Sequence, residues 1–240
     1  MDKKKIINSL GFLPKENARG IFLKKYPLCS DYSIEVDFEK QSILYGDKIK
    51  CDNKSTQNFS QPENFVVLEC VNRLLEKGYQ PQNIILEKTW SAGHGTSGRL
   101  DICVTHDDGS EYMLIECKTH GKESTKALNK LHKDGGQLFT YFKFSNKADL
   151  LVLYASHLKG DVIECKYEVV KIEDEYRTGD VKDFYEKWNK LTKDNGVFDS
   201  WVEPYNFKSK SLTKGQLKAI TRSYAEEEES SFCSPFFVCC

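Results

Sequence analysis

The clearest periodicity in the chain lies in PENFVVLECVNRLLEKGYQP, where Val67, Val71, Leu74 and Leu75 recur at helical spacing on one stripe. Pro62 suits a first turn, Glu63 falls at the positive end of the helix dipole and Gly78 supplies a stop, so a helix is predicted over residues 62–77. A second helix is predicted over residues 124–143, with Leu138, Phe139 and Phe142 on its apolar side. A third, over residues 180–192, starts at Asp180 as cap and turns Val181, Phe184, Tyr185 and Trp188 inward. Strand patterns fall between the helices. NIILE (83–87) reads as the first core strand, and ADLLVLYAS (148–156) is a continuous apolar run suited to a strand buried on both faces. Residues 162–172 alternate, as at a sheet edge, and residues 99–106 and 111–117 are two strand-like runs around Asp107, Asp108, Gly109 and Ser110, a β-hairpin signal. Upstream, Lys3, Lys4 and Lys5 open a short amphipathic run ending at Gly11, residues 32–49 read as strand, turn and strand, and residues 52–61 are a polar loop. One helix, three strands, one helix and a further strand predict an α/β fold of the α+β mixed-sheet kind, flanked by helices.

At 240 residues the chain is long enough for one substantial core with appendages. The pattern divides it into an N-terminal extension with a small hairpin (1–60), a core (61–175), a helical linker segment (176–222) and a tail (223–240). A net charge of −1 means that any nucleic-acid contact has to come from a local basic patch: Lys3, Lys4 and Lys5 are a candidate for phosphate contact, and Lys122, Lys126, Lys130 and Lys133 form a basic edge at roughly helical spacing. Nine cysteines without any C-x-x-C pair, and a start without an apolar leader, point to reduced thiols in the cytoplasm. No apolar run approaches membrane-spanning length, so no membrane partner is expected. His106 and His120 have no cysteine pair at a spacing suited to zinc.

The candidate chemistry sits on the hairpin. With Asp108 and Gly109 as a two-residue loop, counting outward pairs Asp101 with Glu116, their Cβ atoms roughly 5 Å apart, and puts Lys118 on the same face. Two facing carboxylates repel unless a cation sits between them. Mg²⁺ is the expected remedy: it takes one or two carboxylates plus water and phosphate oxygens, and a nearby ammonium positions the attacking water or neutralises phosphate charge.

An aspartate, a turn, then Glu-x-Lys ending an apolar strand (Met113, Leu114, Ile115, Glu116, Cys117, Lys118) resembles the PD-(D/E)XK nuclease superfamily, with Leu100 in place of the motif proline. The resemblance implies a restriction-endonuclease-like core in which Asp101, Glu116 and Lys118 are catalytic and the two acids hold Mg²⁺. It also implies an acid from the preceding helix, for which Glu69, aligned with Phe65 and Arg73, is the candidate metal group. Gln137 and Tyr141, one helix beyond the Glu-x-Lys strand, resemble the Q-x-x-x-Y motif of nuclease domains in type I restriction R subunits and RecB-like exonucleases, and imply DNA contact or support of Lys118. Arg99 is a candidate phosphate contact. His94, in a glycine-rich loop with Gly93, Gly95 and Gly98, is a candidate for DNA contact or proton transfer. Further on, SWVEPYNFK and TKGQL are similar to the linker that joins such domains to adenine-type DNA methyltransferases in fused restriction-methylation proteins. The tail, with Glu226 to Glu229 followed by SSFCSPFFVCC, is expected to lie outside the folded nuclease, as an out-of-frame ending of a longer restriction-modification polypeptide. The resulting expectation is a Mg²⁺-dependent endonuclease acting on double-stranded DNA, with a methyltransferase or specificity subunit as a partner. A repair or recombination nuclease and a non-catalytic DNA-binding module remain alternatives.

Overall fold

The computed structural model describes residues 2–90, 98–134, 136–145 and 147–172. The predicted linker and tail, the helix expected over 180–192, and His94 with Gly93 and Gly95 lie outside the described residues. Helices α1 (Lys3–Ser9), α2 (Glu63–Glu76), α3 (Lys122–Asp134) and α4 (Gly136–Ser145) surround two sheets. The smaller sheet is an antiparallel meander of β1 (Leu13–Pro14), β2 (Ile21–Tyr26), β3 (Tyr32–Asp37) and β4 (Ser42–Leu44). The central mixed sheet contains β5 (Lys50–Cys51), β6 (Ile84–Thr89), β7 (Arg99–Thr105), β8 (Glu111–Thr119), β9 (Leu150–Lys159) and β10 (Val162–Lys171), in the order β10-β9-β8-β7-β6-β5. β8 and β9 run parallel, as do β5 and β6; the other pairs are antiparallel. Among the described residues no helix is long and apolar enough to cross a membrane.

Each face of the central sheet carries its own apolar layer, because successive strand residues point to opposite sides. Met113, Ile115 and Cys117 of β8 face α2 and the N-terminal meander, joining one buried cluster that runs from Ile6 to Val169. Leu114 faces the other way and packs with Leu131 of α3 and Leu138, Tyr141 and Phe142 of α4. The predicted stripe of α2 is fully buried at Val67, Val71, Leu74 and Leu75, each contributing about 1.5–3 kcal/mol by leaving water. The helix ends in a Schellman motif: Tyr79 N donates to Leu74 O at 3.0 Å and Gly78 N to Leu75 O at 3.1 Å, with Gly78 at φ +90°. Only glycine takes that backbone shape at low cost, so Gly78→Ala should lose about 1–2 kcal/mol in a urea titration.

The sequence pattern is corrected in three places. The helix expected over 124–143 is two helices, α3 and α4, broken next to Gly136, whose φ of +54° no continuous helix accommodates. The small N-terminal hairpin is the last pair of the four-stranded meander; β2 was hidden because Lys24 and Lys25 interrupt its alternation, and α1 caps the same core with Ile6 and Ile7. The central hairpin turns through three residues rather than two: His106 N donates to Ser110 O, Gly109 N donates to His106 O, and Gly109 sits at φ +82°. Asn83 holds this loop by donating to Thr105 O and Asp107 Oδ1.

Candidate active site

The longer turn alone would displace every pair by one position. A one-residue bulge restores the register: Thr105 pairs with Glu111 but Val104 pairs with Met113, leaving Tyr112 as the extra residue. Beyond it Cys103 pairs with Leu114 and Ile102 with Ile115, so Asp101 comes up beside Glu116 on the face that carries α3 and α4. Asp101 Oδ2 accepts from Cys117 N at 2.7 Å. Lys118 Nζ lies 2.6 Å from Glu116 Oε1, donates to Cys117 O at 2.9 Å and is 3.6 Å from Glu63 Oε2. The Lys118 ammonium thus lies between Glu116 and Glu63, with Asp101 beside Glu116 on the neighbouring strand, where β7, β8 and the start of α2 come together.

Burial makes this cluster costly. The Asp101 carboxyl is held well above its usual range by desolvation and then by the neighbouring Glu116. Burial also raises Glu116 and Glu63, with Lys118 opposing in both cases. Burial alone would pull the Lys118 ammonium down, but Glu116 and Asp101 outweigh it and hold it above the ordinary lysine value. Glu116 is 3% exposed, and its Oε2 is buried without a hydrogen-bond partner. A lone ammonium therefore leaves this hard-oxygen site short of positive charge, which suits a small divalent cation. Among the described residues no three His, Cys, Asp or Glu side chains converge as a full ligand set. Mg²⁺ does not need one, since it keeps several waters and takes phosphate oxygens.

Gln137 and Tyr141 meet this site from α4. Tyr141 is 4% exposed and donates its only proton to Arg99 O at 2.6 Å, while Gln137 Nε2 donates to the Tyr141 hydroxyl at 3.3 Å. The Tyr141 ring stacks on Trp90, with centroids 5.7 Å apart, and Trp90 stacks in turn on Phe144. The strand passes so close that a Cβ on Gly98 would sit 2.9 Å from Tyr141 Cδ1, which gives this glycine a packing role. Arg99 does not stand free: its Nε is 2.7 Å from Glu87 Oε2, an ion pair in which Glu87 is almost fully buried.

Glu69 does not join the group. Its Oε1 accepts from Arg73 at 2.7 Å, one helical turn on, and its Oε2 accepts from the Tyr154 hydroxyl at 2.6 Å, so both oxygens are engaged inside the core. The helix acid that reaches Lys118 is Glu63, six positions earlier. In the sequence Glu63 marks only the positive end of the helix dipole; its role comes from the packing of α2 over β8, which puts the first side chain of the helix at the C-terminal end of the strand. Glu87 was also missed. It lies at φ +54° between the pairs Leu86–Ile102 and Lys88–Leu100, next to Asp101 in the same strand row, and nothing in its apolar strand marks it.

Residues 62–152 match the family described as type I restriction enzyme R protein N terminus, a stretch that runs from the start of α2 through the hairpin and both site helices into β9. No curated protein matches the chain.

Proposed function

We propose that the chain carries a Mg²⁺-dependent endonuclease domain that hydrolyses phosphodiester bonds of double-stranded DNA in a restriction-modification system, beside a methyltransferase or specificity subunit. The observation that carries this reading is the half-buried Asp101 beside the buried Glu116, with Lys118 2.6 Å from Glu116 Oε1 and the other Glu116 oxygen left without a partner. The match of residues 62–152 to the R-protein family supports the restriction setting.

Asp101 and Glu116 would hold the metal, and Glu63, reaching Lys118, lies close enough to steer its ammonium. A bound Mg²⁺ polarises a phosphoryl oxygen and lowers the pKa of a coordinated water. Lys118 remains charged throughout the neutral range, so its work is to orient the attacking water and to stabilise charge that develops on the phosphate, rather than to remove a proton. Cys117 N fixes the Asp101 carboxylate, and Tyr141, locked by Arg99 O and Trp90, closes the side of the site opposite α2.

The test pairs Mg²⁺ calorimetry with plasmid nicking. Asp101→Ala and Glu116→Ala should lose both metal binding and nicking, whereas Lys118→Ala should lose nicking by about 10²–10³-fold and keep the metal. Gln137→Ala and Tyr141→Ala should weaken nicking less than any of these. Unchanged Mg²⁺ binding in both aspartate and glutamate variants overturns the reading.

A further inference from the structure

Helix α3 leaves the site directly: it starts four residues after Lys118, past a turn at Gly121 with φ +108°. Its inner side is settled by Leu131, which is buried, and by Ala127 and Leu128, packed into the layer beneath α4. Successive residues on a helix are 100° apart, so Lys122, Lys126 and Lys130 form one ridge on the side away from that contact. All three are exposed, and none makes an ion pair with any described residue, whereas Lys5, Lys15, Lys24, Lys40, Lys50, Lys88 and Lys159 each face a carboxylate. The neighbouring carboxylate of Glu123 is occupied by the Thr119 hydroxyl. Together with the three lysines, Gly121, Thr125 and Asn129 line a shallow, open concavity.

Three like charges in a row on a chain of net charge −1 repel one another, by a few tenths of a kcal/mol per i,i+4 pair, and contribute nothing to the fold. An i,i+4 step advances about 6 Å, so the ridge spans about 12 Å, close to the rise of three to four base pairs along one strand of duplex DNA. We propose that Lys122, Lys126 and Lys130 form a track for one phosphodiester backbone of duplex DNA, leading from the carboxylate site along the outside of α3. This inference rests on the nuclease reading for its substrate but makes a separate demand, on binding rather than cleavage.

The ridge holds phosphates through charge alone, so its signature is salt dependence. Each phosphate contact contributes about 0.9 to the slope of log K against log salt, so three should contribute about 2.7. The experiment measures binding of a labelled 30-base-pair duplex, in EDTA so that nothing is cut, from roughly 50 to 200 mM KCl. It compares the wild type, the triple variant Lys122→Gln/Lys126→Gln/Lys130→Gln, and the charge-matched control Lys15→Gln/Lys25→Gln/Lys40→Gln on the N-terminal meander. The ridge variant should lose about 10- to 100-fold in affinity at the lower salt and flatten the slope by about 2–3, while the control stays within about threefold of wild type. Glutamine keeps helix propensity close to that of lysine, and thermal melts confirm that both variants are folded. Equal slopes in wild type and ridge variant, an equal loss in the control, preference for single-stranded over duplex DNA, or no duplex binding by the wild type would each overturn the proposal. The outcomes also separate the two readings. Nicking without a ridge-dependent slope leaves the nuclease and removes the track; a ridge-dependent slope without Mg²⁺-dependent nicking keeps the track and removes the nuclease.

Discussion

Asp101→Asn should make the metal-free protein more stable at neutral pH while abolishing nicking. Asp101 is half-buried beside the buried Glu116, and both carboxyls are held above their ordinary values, so the folded chain binds protons there more tightly than the unfolded chain does. Their contribution to stability is complete below the unfolded carboxylate range, at about pH 4, and is lost as pH rises through the raised folded values. Lys118 is also raised, but it keeps its own proton, folded or unfolded, up to the ordinary lysine range and so adds no titration of its own between pH 4 and 8. Asparagine keeps an acceptor for Cys117 N and removes the charge, so the variant should gain about 1–2 kcal/mol at pH 7.5, a melting temperature roughly 3–6 °C higher. The gain should shrink toward zero at about pH 4, and saturating Mg²⁺ should raise the wild type but not the variant. A variant less stable than wild type at pH 7.5 without metal would show that the aspartate is a structural acceptor and not a destabilising ligand.

The second large effect concerns Glu69. Arg73→Ala strands a carboxylate that is 3% exposed among apolar neighbours and should cost about 3–5 kcal/mol in a urea titration. The double variant Glu69→Leu/Arg73→Met removes both charges and leaves the Tyr154 hydroxyl to find another acceptor, so most of that loss should be recovered. Its Mg²⁺ affinity and nicking should match wild type. A folded double variant without Mg²⁺ binding would return Glu69 to the metal site.

Elements carried by strong local patterns were legible in the sequence: α2 with its stop at Gly78, the buried run of β9 and the alternation of β10 at the sheet edge appear within a few residues of where they were expected. The approach of Asp101 to Glu116 was also readable, although through a compensation. The turn has one more residue than its Asp-Gly signal suggests and the bulge at Tyr112 takes that residue back, so the face of each side chain came out right for a reason that the pattern does not contain. What remained hidden is tertiary. Glu69 and Glu63 are both acids of the same helix, and only the packing of α2 decides that one points into the core toward Arg73 while the other reaches Lys118. β2, interrupted by two lysines, has no usable period, and the ion pair of Arg99 with Glu87 depends on a left-handed residue inside a strand.

The hairpin has a consequence for how the chain folds. Asp101, Glu116 and Lys118 lie within one local pair of strands, whereas β8 meets its parallel partner β9 only after the chain has passed through α3 and α4. Closing a short loop is fast and costs little entropy, so β7 and β8 are expected to pair before the crossover docks, bringing the two carboxylates together on the way to the transition state. Their repulsion then acts as a brake on folding rather than as a spring that speeds unfolding. In stopped-flow refolding from urea, the stabilisation of Asp101→Asn should appear mainly as a faster folding limb, with a Φ value above about 0.5, and little change in the unfolding limb. A gain confined to the unfolding limb would mean that the hairpin closes late, after the helices are in place.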